Sequence, residues 1–201
     1  LELVTEVIDR IETVNPALNA VVAMDKEQSL AQAKQADAER VKAGPRPLLG
    51  LPITVKDSID VKGFRCTGGS YARENHWPEE DASVVARLRS AGAIIIGKTN
   101  LPEYSSSYET DNALFGRTNN PADLARTAGG STGGEAALLG ADATLVGIGV
   151  DGGGSIRVPS HYCGTVGIRP TVGRTPDTGH WPVTRDTGYR DMMCLGPMAR
   201  Y

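Results

Sequence analysis

Between Gly129 and Gly164 the chain carries two glycine-rich loops, Gly129-Gly130-Ser131-Thr132-Gly133-Gly134 and Asp151-Gly152-Gly153-Gly154-Ser155, joined by an apolar passage. Glycine loses more conformational entropy on folding than any other residue, so clusters of it mark places where the backbone must turn tightly or stand open. Each loop also holds a serine, Ser131 and Ser155. Between them Glu135 to Ala141 reads as a helix and Thr144 to Val150 as a buried strand, with another helix expected after Ser155. The rest of the chain has to pack around this unit.

Three readings of the loops compete. Phosphate binding on backbone N–H groups is the first. Neither loop has the lysine of a Walker loop, and Gly152-Gly153-Gly154 does not supply G-x-G-x-x-G. A tight structural turn is the second, and it explains one loop better than two with matching hydroxyls. The third is acyl transfer. Ser155 would be the nucleophile, and the N–H groups of Gly152, Gly153, Gly154 and Ser155 would face one oxyanion, each donor contributing about 3–4 kcal/mol in such sites.

A serine nucleophile needs a base. The histidines are His76, His161 and His180; His161 follows closely on Ser155 and there is no G-x-S-x-G elbow, so a Ser-His-Asp triad has no support. Lys56 ends the apolar stretch Leu48 to Val55, which reads as a buried strand broken at Gly50 and Pro52. A lysine there is either a solvated charge at a strand's mouth or, if buried, the base of a Ser–Lys arrangement.

The remaining pattern is that of an α/β protein. Leu1 to Val14 has a helical apolar stripe that Asn15-Pro16 should end, Ala20 to Met24 a short strand, and Gln28 to Ala43 a helix stopped by Gly44-Pro45. A helix over Asp81 to Ala91 precedes the apolar strand Ala93 to Lys98, so strand, helix and strand alternate as in a largely parallel sheet with helical cover. Leu101 to Asn120 is a long polar connection with aromatics, read as a pocket wall. A short strand is expected near Val166 to Arg169, and Gly173 to Tyr201 reads as mostly irregular, with Trp181 its one large apolar anchor.

Composition excludes more than it assigns. A net charge of −3 and 5% aromatic residues give no basis for a nucleic-acid partner, and no apolar run could span a bilayer. Cys66, Cys163 and Cys194 are widely spaced and odd in number, as expected of reduced thiols in a cytoplasmic protein, and neither they nor the histidines have metal-ligand spacing.

The motifs, taken together, closely resemble the amidase signature family of serine hydrolases. The matching residues are Gly50-Leu51-Pro52-Ile53-Thr54-Val55-Lys56-Asp57, Gly97-Lys98-Thr99-Asn100, Phe115-Gly116, Asn120-Pro121, Gly129 to Gly134, Asp151 through Gly153-Gly154-Ser155-Ile156-Arg157 to Pro159, Cys163-Gly164 and Gly167 to Thr171. The resemblance implies the amidase signature fold, a mixed, largely parallel sheet covered by helices on both faces. Leu1 already lies inside a helical pattern and nothing closes the chain after Gly196, so residues 1–201 are expected to be the N-terminal and central part of one such domain, truncated at both ends.

The resemblance also implies a catalytic triad of Lys56, Ser131 and Ser155, with a cis peptide at Gly130–Ser131 and no cofactor or metal. Burial would lower the Lys56 pKa, and the proton of Ser155 would reach Lys56 through Ser131. Asp151 and Arg157 could pair across the loop, or be surface charges. Thr132 stands where a second serine is usual, Arg169 where a lysine is; Gly152 replaces a larger residue and is expected to widen the pocket. Ser107, Tyr108 and Trp181 are the expected pocket lining. The function expected is hydrolysis of carboxylic amides, with aryl amides, esters or carbamates in range, on a small-molecule substrate, with a homodimer as the candidate assembly. The alternative is the amidase subunit of a tRNA-dependent amidotransferase; Tyr108 to Asn112 and Thr178 to Pro182 favour the stand-alone branch.

Overall fold

The computed structural model describes residues 1–42, 46–183 and 187–201. Six strands form one sheet: β1 (Val21–Met24), β2 (Pro52–Lys56), β3 (Ile94–Thr99), β6 (Val146–Asp151), β7 (Val166–Gly167) and β8 (Cys194–Ala199), in the order β1-β3-β2-β6-β8-β7. The central strands β3, β2 and β6 run parallel; β1, β8 and β7 join antiparallel, so the sheet is mixed. β4 (Asn119–Asn120) and β5 (Asp123–Thr127) make a separate hairpin.

The helices are α1 (Glu2–Leu18), α2 (Lys26–Lys42), α3 (Ser83–Ser90), α4 (Gly133–Gly140), α5 (Arg157–Cys163) and α6 (Thr187–Arg190). Along β2, side chains alternate: Ile53 and Val55 join one core with Ile95, Ile148, Val150, Leu195 and Val85 of α3. Ile94 and Ile96 join the other, with Val4, Ile8 and Ile11 of α1 and the apolar residues of α4. Each fully buried aliphatic side chain contributes about 1.5–3 kcal/mol, so these two layers carry most of the stability.

One expectation needs correction. Pro16 does not end the first helix. It sits in the last turns of α1, which stops only at Asn19, left-handed at φ 51°, whose N–H bonds the Asn15 carbonyl. The Gly44-Pro45 helix stop lies outside the described residues. The stretch beyond Gly173 is mostly irregular among the described residues, as expected, but it also carries α6 and β8, and β8 pairs along the whole of β6. Within β8 Pro197 is exposed, and a Cβ at Gly196 would collide with the Ile168 carbonyl oxygen.

Close approach also fixes Gly147 on β6. A Cβ there would lie 2.6 Å from the carboxyl carbon of Glu135, whose side chain is wedged between β2, β3 and α4. Gly147→Ala is expected to lower unfolding free energy by about 1–3 kcal/mol, as overpacking does. Urea unfolding measures this, and an unchanged midpoint would mean that the wedge can move aside.

Candidate active site

Lys56 ends β2 fully buried, and its Nζ donates a 2.6 Å hydrogen bond to Ser131 Oγ. Ser131 follows a cis Gly130–Ser131 bond in the loop that leads into α4. Ser155 lies in the loop between β6 and α5, 9% exposed, and its carbonyl accepts the Thr132 N–H at 3.0 Å. Three remote segments thus deliver a lysine and two serines to one place. Burial lowers the Lys56 pKa from 10.5 to about 7, against the raising pull of Asp151 and Glu135.

Glu135 is the unexpected neighbour. It is fully buried, its Oε2 accepting from Thr54 Oγ1 (2.6 Å) and its Oε1 from Thr99 Oγ1 (2.9 Å). Burial raises its pKa to about 8, outweighing those two bonds and the nearby lysine charges, so near neutrality it is mostly protonated. A second buried lysine, Lys98, donates to Asp57 Oδ1 (3.0 Å) and to the Ile59 carbonyl (2.8 Å), and Asp57 also accepts from the Thr67 N–H and hydroxyl. This pair clamps the turn directly after Lys56.

Asp151 organises the nucleophile loop. Its carboxylate accepts from Arg157 Nε and Nη2, both 2.9 Å, and from the N–H groups of Gly154, Ile156 and Arg157. Burial pushes its pKa up, but Arg157 and those N–H groups hold it below the usual carboxylate value. Arg169 approaches the same carboxylate at 3.6 Å. The Gly154 N–H is therefore not an oxyanion donor: it is spent on Asp151 Oδ1 at 2.8 Å. Among the described residues the N–H groups of Gly152, Gly153 and Ser155 carry no internal hydrogen bond.

A cavity of about 360 Å³ opens over both serines. Its lining includes Tyr104 to Tyr108, Ser131, Val150, Gly152, Gly153, Ser155, His180, Pro182 and Tyr189. Ser107 and Tyr108 are there, and the Tyr108 hydroxyl donates to the Gly153 carbonyl at 2.9 Å. Trp181 is not. Its ring lies beneath the Arg73 guanidinium at 4.2 Å and edge-on to Tyr104, while its neighbours His180 and Pro182 line the space.

Nor does Gly152 widen the pocket, because a Cβ there would meet the Tyr189 ring at 2.8 Å. Thr132 acts as a brace: its hydroxyl donates to the Val150 carbonyl (3.2 Å) and accepts the Val150 N–H (3.4 Å). Sequence reasoning missed Glu135, Tyr189 and the pocket role of His180. The one signal for His180 is that it neighbours Trp181. Among the described residues no His/Cys/Asp/Glu cluster could hold a metal ion, and no helix is long and apolar enough to cross a membrane.

The family model described as Amidase matches residues 2–201. The A subunit of the glutamyl-tRNA(Gln) amidotransferase of Roseiflexus castenholzii (strain DSM 13941 / HLO8) is 42% identical over 200 residues, which is 100% of this chain and 40% of that protein. The native peptide amidase of Stenotrophomonas maltophilia superposes with a TM-score of 0.90 at 34% identity, covering 99% of this chain and 41% of its own. The corresponding glutamyl-tRNA(Gln) amidotransferase subunit of Thermotoga maritima superposes at 0.80 with 30% identity, covering 98% and 40%. The chain spans about 40% of the length of the curated relative it matches.

Proposed function

The chain belongs to the Amidase family, and from that premise we propose that the protein hydrolyses carboxylic amides through an acyl-enzyme on Ser155. The observation that carries this reading is the 2.6 Å hydrogen bond between Lys56 Nζ and Ser131 Oγ, both buried, beside Ser155. Near and above pH 7 Lys56 has a neutral fraction able to take a proton. Ser155 Oγ attacks the carbonyl carbon, and its proton passes to Ser131 while Ser131 gives its own to Lys56. The N–H groups of Gly152, Gly153 and Ser155 stabilise the oxyanion. The proton then returns through Ser131 to the departing nitrogen as the C–N bond breaks. Water repeats the sequence on the ester, freeing the acid and Ser155.

Two settings suit this chemistry. The amidase subunit of a tRNA-dependent amidotransferase stands ahead, because the Roseiflexus amidotransferase subunit is 42% identical where the peptide amidase is 34%. In that setting the partners are other protein subunits rather than only a second copy of this chain. A stand-alone amidase is the second, favoured by the higher TM-score of the peptide amidase, 0.90 against 0.80. We place the protein in the cytoplasm, a reading supported by three free, buried cysteines.

A fluorophosphonate applied to the purified protein should label Ser155, read by peptide mass spectrometry. An adduct on another residue would refute the nucleophile. Glutamine hydrolysis that needs added partner subunits supports the first setting; turnover of a simple aryl amide by the protein alone supports the second.

A further inference from the structure

His180 lines the cavity over Ser131 and Ser155, is only 5% exposed, and has no hydrogen-bond partner at either Nδ1 or Nε2 among the described residues. Its backbone is firmly held: Ile59 and His180 form an isolated antiparallel bridge, the His180 N–H donates to the Asp177 carbonyl (3.0 Å), and the Trp181 N–H donates to the Ser58 carbonyl (2.7 Å). Ser105, which lines the same cavity, has a buried hydroxyl that is also without a partner among the described residues. Leaving such groups buried and unpaired costs about 1–3 kcal/mol each, so a cavity that keeps them is arranged for a ligand that pairs them. Among the described residues lining the cavity none is Asp, Glu, Lys or Arg.

We propose that His180 and Ser105 form a polar subsite that takes an uncharged hydrogen-bonding group of the substrate, of the chemistry of a second carboxamide, carried near the scissile amide. A neutral imidazole offers one donor and one acceptor, and a carboxamide offers both complements. Burial, with the Lys56 charge adding to it, lowers the His180 pKa to about 3, while the Pro182 backbone pulls the other way without reaching hydrogen-bond geometry. The ring therefore stays uncharged across the working range and gives no charge attraction to a carboxylate. This choice of substrate rests on the acyl-transfer reading above only for where the scissile bond lies.

The test compares binding and turnover. Calorimetry follows succinamide and succinate with the protein carrying Ser155→Ala, so that the amide binds without turnover, and kinetics of the protein with Ser155 intact follow the p-nitroanilides of succinamic acid and of butyric acid. Succinamide is expected to bind more tightly than succinate. His180→Phe should weaken succinamide binding about tenfold, the worth of a lost neutral hydrogen bond, and lower kcat/KM more for the carboxamide anilide than for the butyryl one. His180→Gln, which keeps a donor and an acceptor, should recover part of both. Equal losses on the two anilides with no recovery by glutamine, or succinate bound as tightly as succinamide, overturn the subsite. No labelling of Ser155 and no anilide turnover in the unaltered protein overturn the acyl-transfer reading instead, and the calorimetry then still decides the subsite.

Discussion

Replacing Lys56 by methionine should lower kcat/KM about a thousandfold or more, within the range that removal of a general base produces, while making the protein harder to unfold near neutrality. The two effects share one cause. Burial takes the Lys56 pKa from 10.5 down to about 7, because the ammonium loses its water and gains only distant carboxylates. For catalysis the useful form is the neutral amine, so activity should climb about tenfold per pH unit below pH 7 and level off above it. For stability the group works in the opposite sense. The unfolded chain holds a proton on this lysine up to about pH 10.5 and the folded one only up to about 7, so folding releases a proton between these values. The cost is full below pH 7 and fades towards 10.5. Methionine removes it, and the variant's gain should shrink over the same window. A variant that keeps most of its activity would sink the proton relay, and one less stable at pH 7 would contradict the burial argument. Urea unfolding at several pH values and a kcat/KM profile read both.

What can be seen in the sequence, and what cannot, follows the range of the interaction involved. Lys56, Ser131 and Ser155 are legible because each sits at a local signal: the end of an apolar strand, or a glycine loop before a helix. The geometry that brings Lys56 and Ser131 to 2.6 Å comes from parallel pairing of β2 with β6, which no local pattern states. Gly154 misleads because sequence does not show the Asp151 carboxylate folding back to take its N–H. Trp181 stands out over His180 for its size alone. Which of two consecutive residues faces the cavity depends on the bridge to Ile59, far away in the chain. β8 is hidden by Gly196-Pro197, whose local preference is overruled by pairing with β6. Glu135 looks like an ordinary first-turn helix acid until β2 and β3 supply Thr54 and Thr99 as its partners.

The largest stability loss should come from Asp57→Ala, about 3–5 kcal/mol, the usual cost of removing one partner from a buried ion pair. Lys98 and Asp57 are both buried, with Lys98 Nζ 3.0 Å from Asp57 Oδ1. Without Asp57, Lys98 keeps only carbonyl acceptors at Ile59 (2.8 Å) and Arg65 (3.3 Å), and its charge goes uncompensated. The Thr67 N–H and hydroxyl lose their acceptor in the same step. Removing the charge as well should return much of the loss, since an apolar pair of similar volume replaces a buried ion pair at little cost. Asp57→Leu combined with Lys98→Met is therefore expected to be more stable than either single change. Urea unfolding of the unaltered protein, the two single variants and the double variant gives the coupling directly. If the two single losses simply add in the double variant, the two groups do not act as a pair. The clamp also bears on catalysis, because the turn it holds begins at the residue after Lys56. Asp57→Ala should therefore lower kcat even in the molecules that remain folded. The double variant, stable but without the clamp, separates the two contributions: restored stability with a kcat still depressed assigns the pair to positioning Lys56, and recovery of both assigns it to the fold alone.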